Sequence, residues 1–205
     1  MSVDYNVIVI LGLCILLIPI YYKGERFNRF WGITLFLISF LALFMRLRIL
    51  HEYPLLAFYN QKTIIASIIL VGVPGIILLG YSVFSEHFKT KRHNFAKLIF
   101  PYLFFGALQQ IFFCWLFTDM FFYLQKNIFI TYTASVIYFM VFHFGWPKKL
   151  YKFYPLLVAF ALISVSVYLF LGNIFPQMMI HGLAGTCLFA VFSETDQIKR
   201  RLGRS

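Results

Sequence analysis

Two histidines and a pair of glutamines are the residues of this chain whose types and spacing could do chemistry. His143 closes the stretch Phe139-Met-Val-Phe-His143, and His181 opens the stretch His181-Gly-Leu-Ala-Gly185. In each, the end residues are four apart and would share one face of a helix. Gln109 and Gln110 stand side by side on an earlier apolar run, and Cys114 lies four residues beyond Gln110. Imidazoles carry protons, polarise carbonyls and hold metals. An amide can only donate and accept hydrogen bonds at neutral pH. A Cys–His pair can act as nucleophile and base, although a thiol with apolar neighbours is ordinarily inert. The plain alternative for each histidine is packing, with a hydrogen bond to an adjacent helix.

The elements that must position these residues are apolar throughout. The 205 residues are 61% hydrophobic and only 12% charged, with a mean hydropathy of +0.83. Soluble domains are usually about 45–50% apolar and about 25% charged. A soluble core could not hide so much apolar surface, so lipid is the expected solvent. Seven apolar runs have the length of membrane helices: residues 5–22, 30–45, 63–84, 98–124, 128–146, 154–171 and 174–192. The predicted fold is therefore an all-α, polytopic helical bundle of seven spans. Pro74 inside the third run predicts a kink. Gly172-Asn173 predicts a tight turn that folds the last two runs into an antiparallel hairpin. The first run carries Asp4 and no early cation, and is expected to remain as a span instead of being cleaved as a signal.

Net charge is +11, but the cations sit in short clusters between apolar runs, which is the pattern of membrane loops and not of a nucleic-acid surface. No soluble groove is present for stacking bases, so no nucleic-acid partner is expected. With the N-terminus outside, 14 of the 18 Lys and Arg residues fall on cytoplasmic segments and 4 outside, namely Arg46, Arg48, Lys62 and Lys126. Cytoplasmic loops collect cations, so the expected orientation is N-terminus outside and C-terminus inside, with the chain integral to the cell membrane. A basic loop around Lys89, Lys91, Arg92 and Lys97 is expected between the third and fourth spans. Cys14, Cys114 and Cys187 all lie in apolar runs and suggest no disulfide or zinc cage.

Polar residues inside spans should face the bundle interior. Besides the four already named, the candidates singled out are Thr118, Asp119, Ser164, Ser166, Gln177 and Thr186. Counting from the expected cytoplasmic ends at 1.5 Å a residue puts Gln109 roughly 16 Å deep, His181 roughly 17 Å and His143 roughly 5 Å. The two histidines would then differ in depth by about 12 Å, which argues against a shared haem. No lysine on the last span could form a retinal-type Schiff base. Asp119 lies nine residues past Gln110, about half a turn away on an α-helix, and is expected to point elsewhere.

The order of these motifs resembles the core of the CAAX-protease and bacteriocin-processing (CPBP, or Abi) intramembrane proteases. That family carries Glu-Glu-x-x-x-Arg, then Phe-x-x-x-His, then His-x-x-x-Asn on successive helices. Here the matching stretches are Gln109-Gln110-Ile-Phe-Phe-Cys114, Phe139 to His143, and His181 to Gly185. The resemblance covers roughly residues 98–192. It implies three supporting spans over 1–97, a four-helix core over 98–192 and a basic cytoplasmic tail over 193–205. It also implies a cytoplasm-facing cavity in which a Glu activates water while histidines stabilise an oxyanion or a divalent metal such as zinc. Carried over, Gln109 and Gln110 take the place of the acids, and His143 and His181 take the histidine positions. Phe139 precedes the first histidine as in the family, Cys114 replaces the Arg, and Gly185 replaces the Asn. The substrate class implied is a membrane-associated peptide or protein.

Amides in place of acids remove the general base, which typically contributes 10²–10⁴-fold. Losing an oxyanion donor at position 185 would cost about 2.7–4 kcal/mol in a comparable setting. Two histidines without a carboxylate are few ligands for a catalytic zinc, which usually has three from protein. The sequence thus supports two functions: a divergent intramembrane endopeptidase using His143, His181, Gln109 and Gln110, or a non-catalytic relative acting as a membrane binding, immunity or scaffold protein.

Overall fold

The computed structural model describes residues 5–23, 37–38, 40–42, 44–46, 60–84, 86–143 and 148–192. Among the described residues all regular structure is helical. Helix α1 spans Tyr5–Lys23, and residues 37–46 are helical wherever they are described. A 3-10 turn, Gln61–Thr63, leads into α2 (Ile64–Phe84). Helix α3 (Glu86–Gln110) runs on through a π-helical segment, Ile111–Thr118, into α4 (Asp119–Gln125). Then come α5 (Ile128–Val141), a 3-10 stretch Lys148–Phe153, α6 (Tyr154–Leu171) and α7 (Phe175–Phe192).

Three stretches are long and apolar enough to cross a membrane: Gln61–Tyr81, Phe95–Gln125 and Tyr151–Leu171. Tyr5–Pro19 and Ile128–Val141 are shorter apolar helices. The bundle has an apolar core, but its surface is apolar as well and its interior also holds fully buried polar groups, unlike a water-soluble protein. Ile65, Ile76, Ile77, Phe100 and Phe129 are exposed, whereas Arg46, Gln110, Asp119, Ser135, Asn173 and Gln177 are completely buried. Helix α2 continues through Pro74, as apolar helices do when neighbours re-satisfy the backbone.

Two local boundaries differ from the reading of the sequence. The basic stretch expected as a loop before the fourth run lies on α3, whose helix starts at Glu86. Helix propensity explains this, since Lys and Arg are good helix formers and the first proline after Glu86 is Pro101, beyond the basic stretch. Helix α5 ends at Val141, short of the end of its apolar run.

The expected hairpin between α6 and α7 is present. Gly172 takes the left-handed conformation (φ 65°) that ends α6, and its N–H donates to Tyr168 O at 3.0 Å. Asn173 fastens this turn to the start of α2. Its Nδ2 donates to Thr63 Oγ1 and, at 3.1 Å, to Ser67 Oγ, while its Oδ1 accepts the Asn60 N–H at 2.8 Å. Asn173→Leu should strand these partners and lower stability by about 1–3 kcal/mol, read as an earlier unfolding transition in mixed micelles. A loss confined to a few tenths of that range would show the turn to be held by other contacts.

Helices α3 and α7 meet backbone to backbone. A Cβ built at Gly106 would collide with Gly182 N and lie 2.7 Å from Gly182 Cα; one built at Gly182 would lie 2.8 Å from Tyr102 O. This is the close approach that small residues permit between apolar helices.

Candidate functional site

The glycine crossing delivers the site. Gln110 stands one turn after Gly106, and His181 immediately precedes Gly182, so contact between the glycines brings the two side chains face to face. Gln110 Nε2 donates to His181 Nδ1 at 3.0 Å, and the Cys114 thiol donates to Gln110 Oε1 at 3.6 Å. Gln110 and Cys114 are fully buried, and His181 nearly so. Accepting at Nδ1 leaves the proton of a neutral His181 on Nε2.

His143 enters from the turn that follows α5. Its Nδ1–H donates to Phe139 O at 2.8 Å, which fixes its tautomer and directs the Nε2 lone pair away from its own helix. Its ring centroid lies 5.8 Å from that of His181. The depth difference expected from the sequence is therefore overturned. His143 stands two residues past the early end of α5, on the turn that closes this short helix, and not inside a longer span.

Phe139 supports both imidazoles. Its ring stacks on His143 at 4.5 Å and lies 5.4 Å from His181, with Phe113 at 4.7 Å behind it. Phe160 closes the other side of His181 at 5.4 Å. The two glutamines divide: Gln110 engages His181, while Gln109 lines a cavity with Phe112, Phe113, Phe139, Phe142 and His143. That cavity holds about 30 Å³, room for one or two waters. A haem could not enter so small a space without displacing Phe139.

Gly185 has a physical reason. A Cβ there would lie 2.7 Å from Tyr102 Cδ1, so the Tyr102 ring occupies the space that the asparagine of the CPBP pattern would need. At the position of that pattern's arginine, Cys114 sits completely buried and bonded only to the amide below it. Among the described residues, no group of three His, Cys, Asp or Glu comes together. The donors around His143 and His181 therefore do not match a catalytic zinc site, for which three protein ligands are usual.

A second polar centre was not legible as such. Arg46, expected in an outside segment, is completely buried, and its Nη2 donates to Asp119 Oδ2 at 2.8 Å. Tyr168 OH donates to the other oxygen, Oδ1, at 2.8 Å. The Arg46 guanidinium also lies 5.5 Å over the Trp115 ring. Arg48, counted with Arg46 outside, lies beyond the described residues. The expectation that Asp119 points away from the Gln110 face also fails. It assumed α-helix throughout, at about 100° a residue, but the π segment advances by only about 80° a residue. Over Ile111–Thr118 the difference turns Asp119 back toward the interior side that Gln110 faces. Thr118 Oγ1 marks the widened turn by donating to Phe113 O, five residues back, at 2.7 Å. A signal was available in the buried acid itself, because an acid within an apolar run needs a partner.

Fold and site together define a bundle, helical throughout the described regular structure, with an apolar surface and polar residues set within an apolar core, that encloses an amide–imidazole site among aromatic rings. No family model, no curated protein and no solved structure matches the chain.

Proposed function

We propose that this chain is a multi-pass protein of the cell membrane, with seven spans, the N-terminus outside and the C-terminus in the cytoplasm. Its last four spans would have the arrangement of a CPBP core. Its role would be to bind a membrane-associated peptide or protein segment, as a scaffold or immunity protein does, without cutting it. The membrane assignment rests on the apolar surface of the bundle together with the cation distribution.

One observation carries the non-catalytic reading. Where a water-activating acid would be needed, Gln110 is buried with both ends of its amide engaged, by His181 and by Cys114. An amide cannot take a proton from water. Among the side chains described, the sole carboxylate is Asp119, and it is bonded to Arg46 and Tyr168.

A second reading, a divergent endopeptidase, is favoured by the cavity beside Gln109 and His143, which has room for a water. There Gln109 would orient the water, and His143 and His181 would polarise the scissile carbonyl. The two readings separate in one experiment. The full-length protein is expressed in cell membranes, and new protein N-termini are counted for wild type, Gln109→Glu/Gln110→Glu, His143→Ala and His181→Ala. The binding reading expects none from wild type, and at least about 10²-fold more cleavage once the acids are restored. Cleavage by wild type that disappears in both histidine variants would establish the endopeptidase and end the binding reading.

A further inference from the structure

Between the Arg46–Asp119 pair and the α6–α7 turn, the bundle contains buried polar atoms that have no partner among the described residues. They are Arg46 Nε and Nη1, Thr131 Oγ1, Ser164 Oγ and Gln177 Oε1. All four residues are completely buried. In an apolar medium each such atom is expensive, so orphans of both donor and acceptor kind in one region call for an occupant.

These residues belong to one neighbourhood. Gln177 Nε2 donates to Ser164 O at 3.5 Å, which sets α7 against α6 there. Tyr168, one turn along α6 from Ser164, binds Asp119 and so reaches the Arg46 pair. Tyr132, the neighbour of Thr131 on α5, bonds to Leu162 O at 3.1 Å and Ser166 Oγ at 3.2 Å, the residues two before and two after Ser164. Thr131 therefore stands level with Ser164. Ser135, one turn further along α5, hydrogen-bonds Thr118 Oγ1 at 2.8 Å, beside Asp119, its own hydroxyl donating because the Thr118 proton goes to Phe113 O.

The same neighbourhood is linked to the surface. Gln177 Nε2 also donates to Asn173 O, and Asn173 at the α6–α7 turn bonds the part-exposed Asn60. Tyr168 stands only four residues before Gly172, roughly 6 Å below the turn along the helix axis.

We infer that this region is a water-binding site: a short hydrated path from the α6–α7 turn, past Gln177 and Ser164, to the Arg46–Asp119 pair. The charges select the occupant. Arg46 and Asp119 cancel, so an added ion would leave a net charge in an apolar interior. Water supplies acceptors to the guanidinium and donors to Gln177 Oε1, and its hydroxyl-like size fits between hydroxyl side chains. The path ends at the ion pair, and on the proposed orientation it opens outside the cell.

The test is water-edited solid-state NMR on the full chain in lipid bilayers. Transfer of magnetisation from water to the Arg46 Nε–H is expected to match that to the exposed Lys62 amide and to run severalfold ahead of the buried Leu116 amide. Transfer to Arg46 as slow as to Leu116 would overturn the inference, because the site would be dry. In Gln177→Leu the Arg46 transfer is expected to fall severalfold, toward the Leu116 level. An unchanged rate in that variant would overturn the route past Gln177. The wild-type measurement stands even where the variant fails to fold.

Discussion

Arg46→Ala is expected to destabilise the protein by about 3–5 kcal/mol, the usual cost of removing one partner from a buried ion pair. The reason is what remains behind. Asp119 has no exposure, and Tyr168 OH would be its one remaining hydrogen-bond donor among the described residues. The Trp115 ring would also lose the cation above it. Asp119→Ala should cost a similar amount, because the carboxylate is the one anion that faces this buried guanidinium among the described residues. The double replacement Arg46→Met/Asp119→Leu should be far milder than the two singles added together, since apolar pairs of similar volume commonly replace buried ion pairs at little cost. Unfolding in mixed micelles measures all four proteins. Single variants that each lose less than about 1 kcal/mol would mean that water screens the pair as it does at a surface. That result would mean bulk-like hydration, well beyond the few ordered waters inferred above, and would contradict the burial of both groups.

The consequence reaches beyond stability. On sequence alone the spans before residue 98 read as support for a core that follows them. Arg46 changes that reading, because its helical segment contributes one half of the buried ion pair found among the described residues. Tyr138 makes a second such tie, donating to Cys14 O on α1 at 2.9 Å.

What could be read in advance followed from local rules. Apolar run lengths located α6, bounded by Tyr154 and Leu171 as expected, and the Gly172-Asn173 pair located its turn. The motif residues were also recognisable singly, and Gln110, His143, His181 and Phe139 do come together. Two misses depended on geometry that a uniform helix does not have. The early end of α5 moved His143 to a turn, and the π segment rotated Asp119. Arg46 looked like a loop cation because it ends an apolar run, and only its partner, 73 residues away, accounts for its burial. The reason for glycine at position 185 likewise lies on another helix, in the Tyr102 ring.

Gly106→Ala and Gly80→Ala are expected to change stability in opposite directions, although each adds one methyl group to a helix. At Gly80 nothing lies within 4 Å of the new Cβ. Alanine there should stabilise by roughly 0.5–1 kcal/mol through helix propensity alone. At Gly106 the Cβ meets the backbone of Gly182, and main-chain atoms cannot rotate aside as a flexible side chain can. Helices α3 and α7 must then separate, with an overpacking cost of about 1–3 kcal/mol or more that outweighs the propensity gain. The separation acts where Gln110 meets His181, one turn from the crossing on one helix and one residue from it on the other. The Gln110 Nε2 to His181 Nδ1 bond of 3.0 Å should therefore lengthen or break. Imidazole nitrogen shifts of His181 report this directly, since Nδ1 loses its donor while Nε2 keeps its proton. Gly80→Ala should leave those shifts untouched. If Gly106→Ala stabilises the protein as Gly80→Ala does, with the His181 spectrum unchanged, the glycine crossing does not set the site. Any functional role of the amide–imidazole pair would then have to be sought in how His143 and Phe139 hold His181 from the other side.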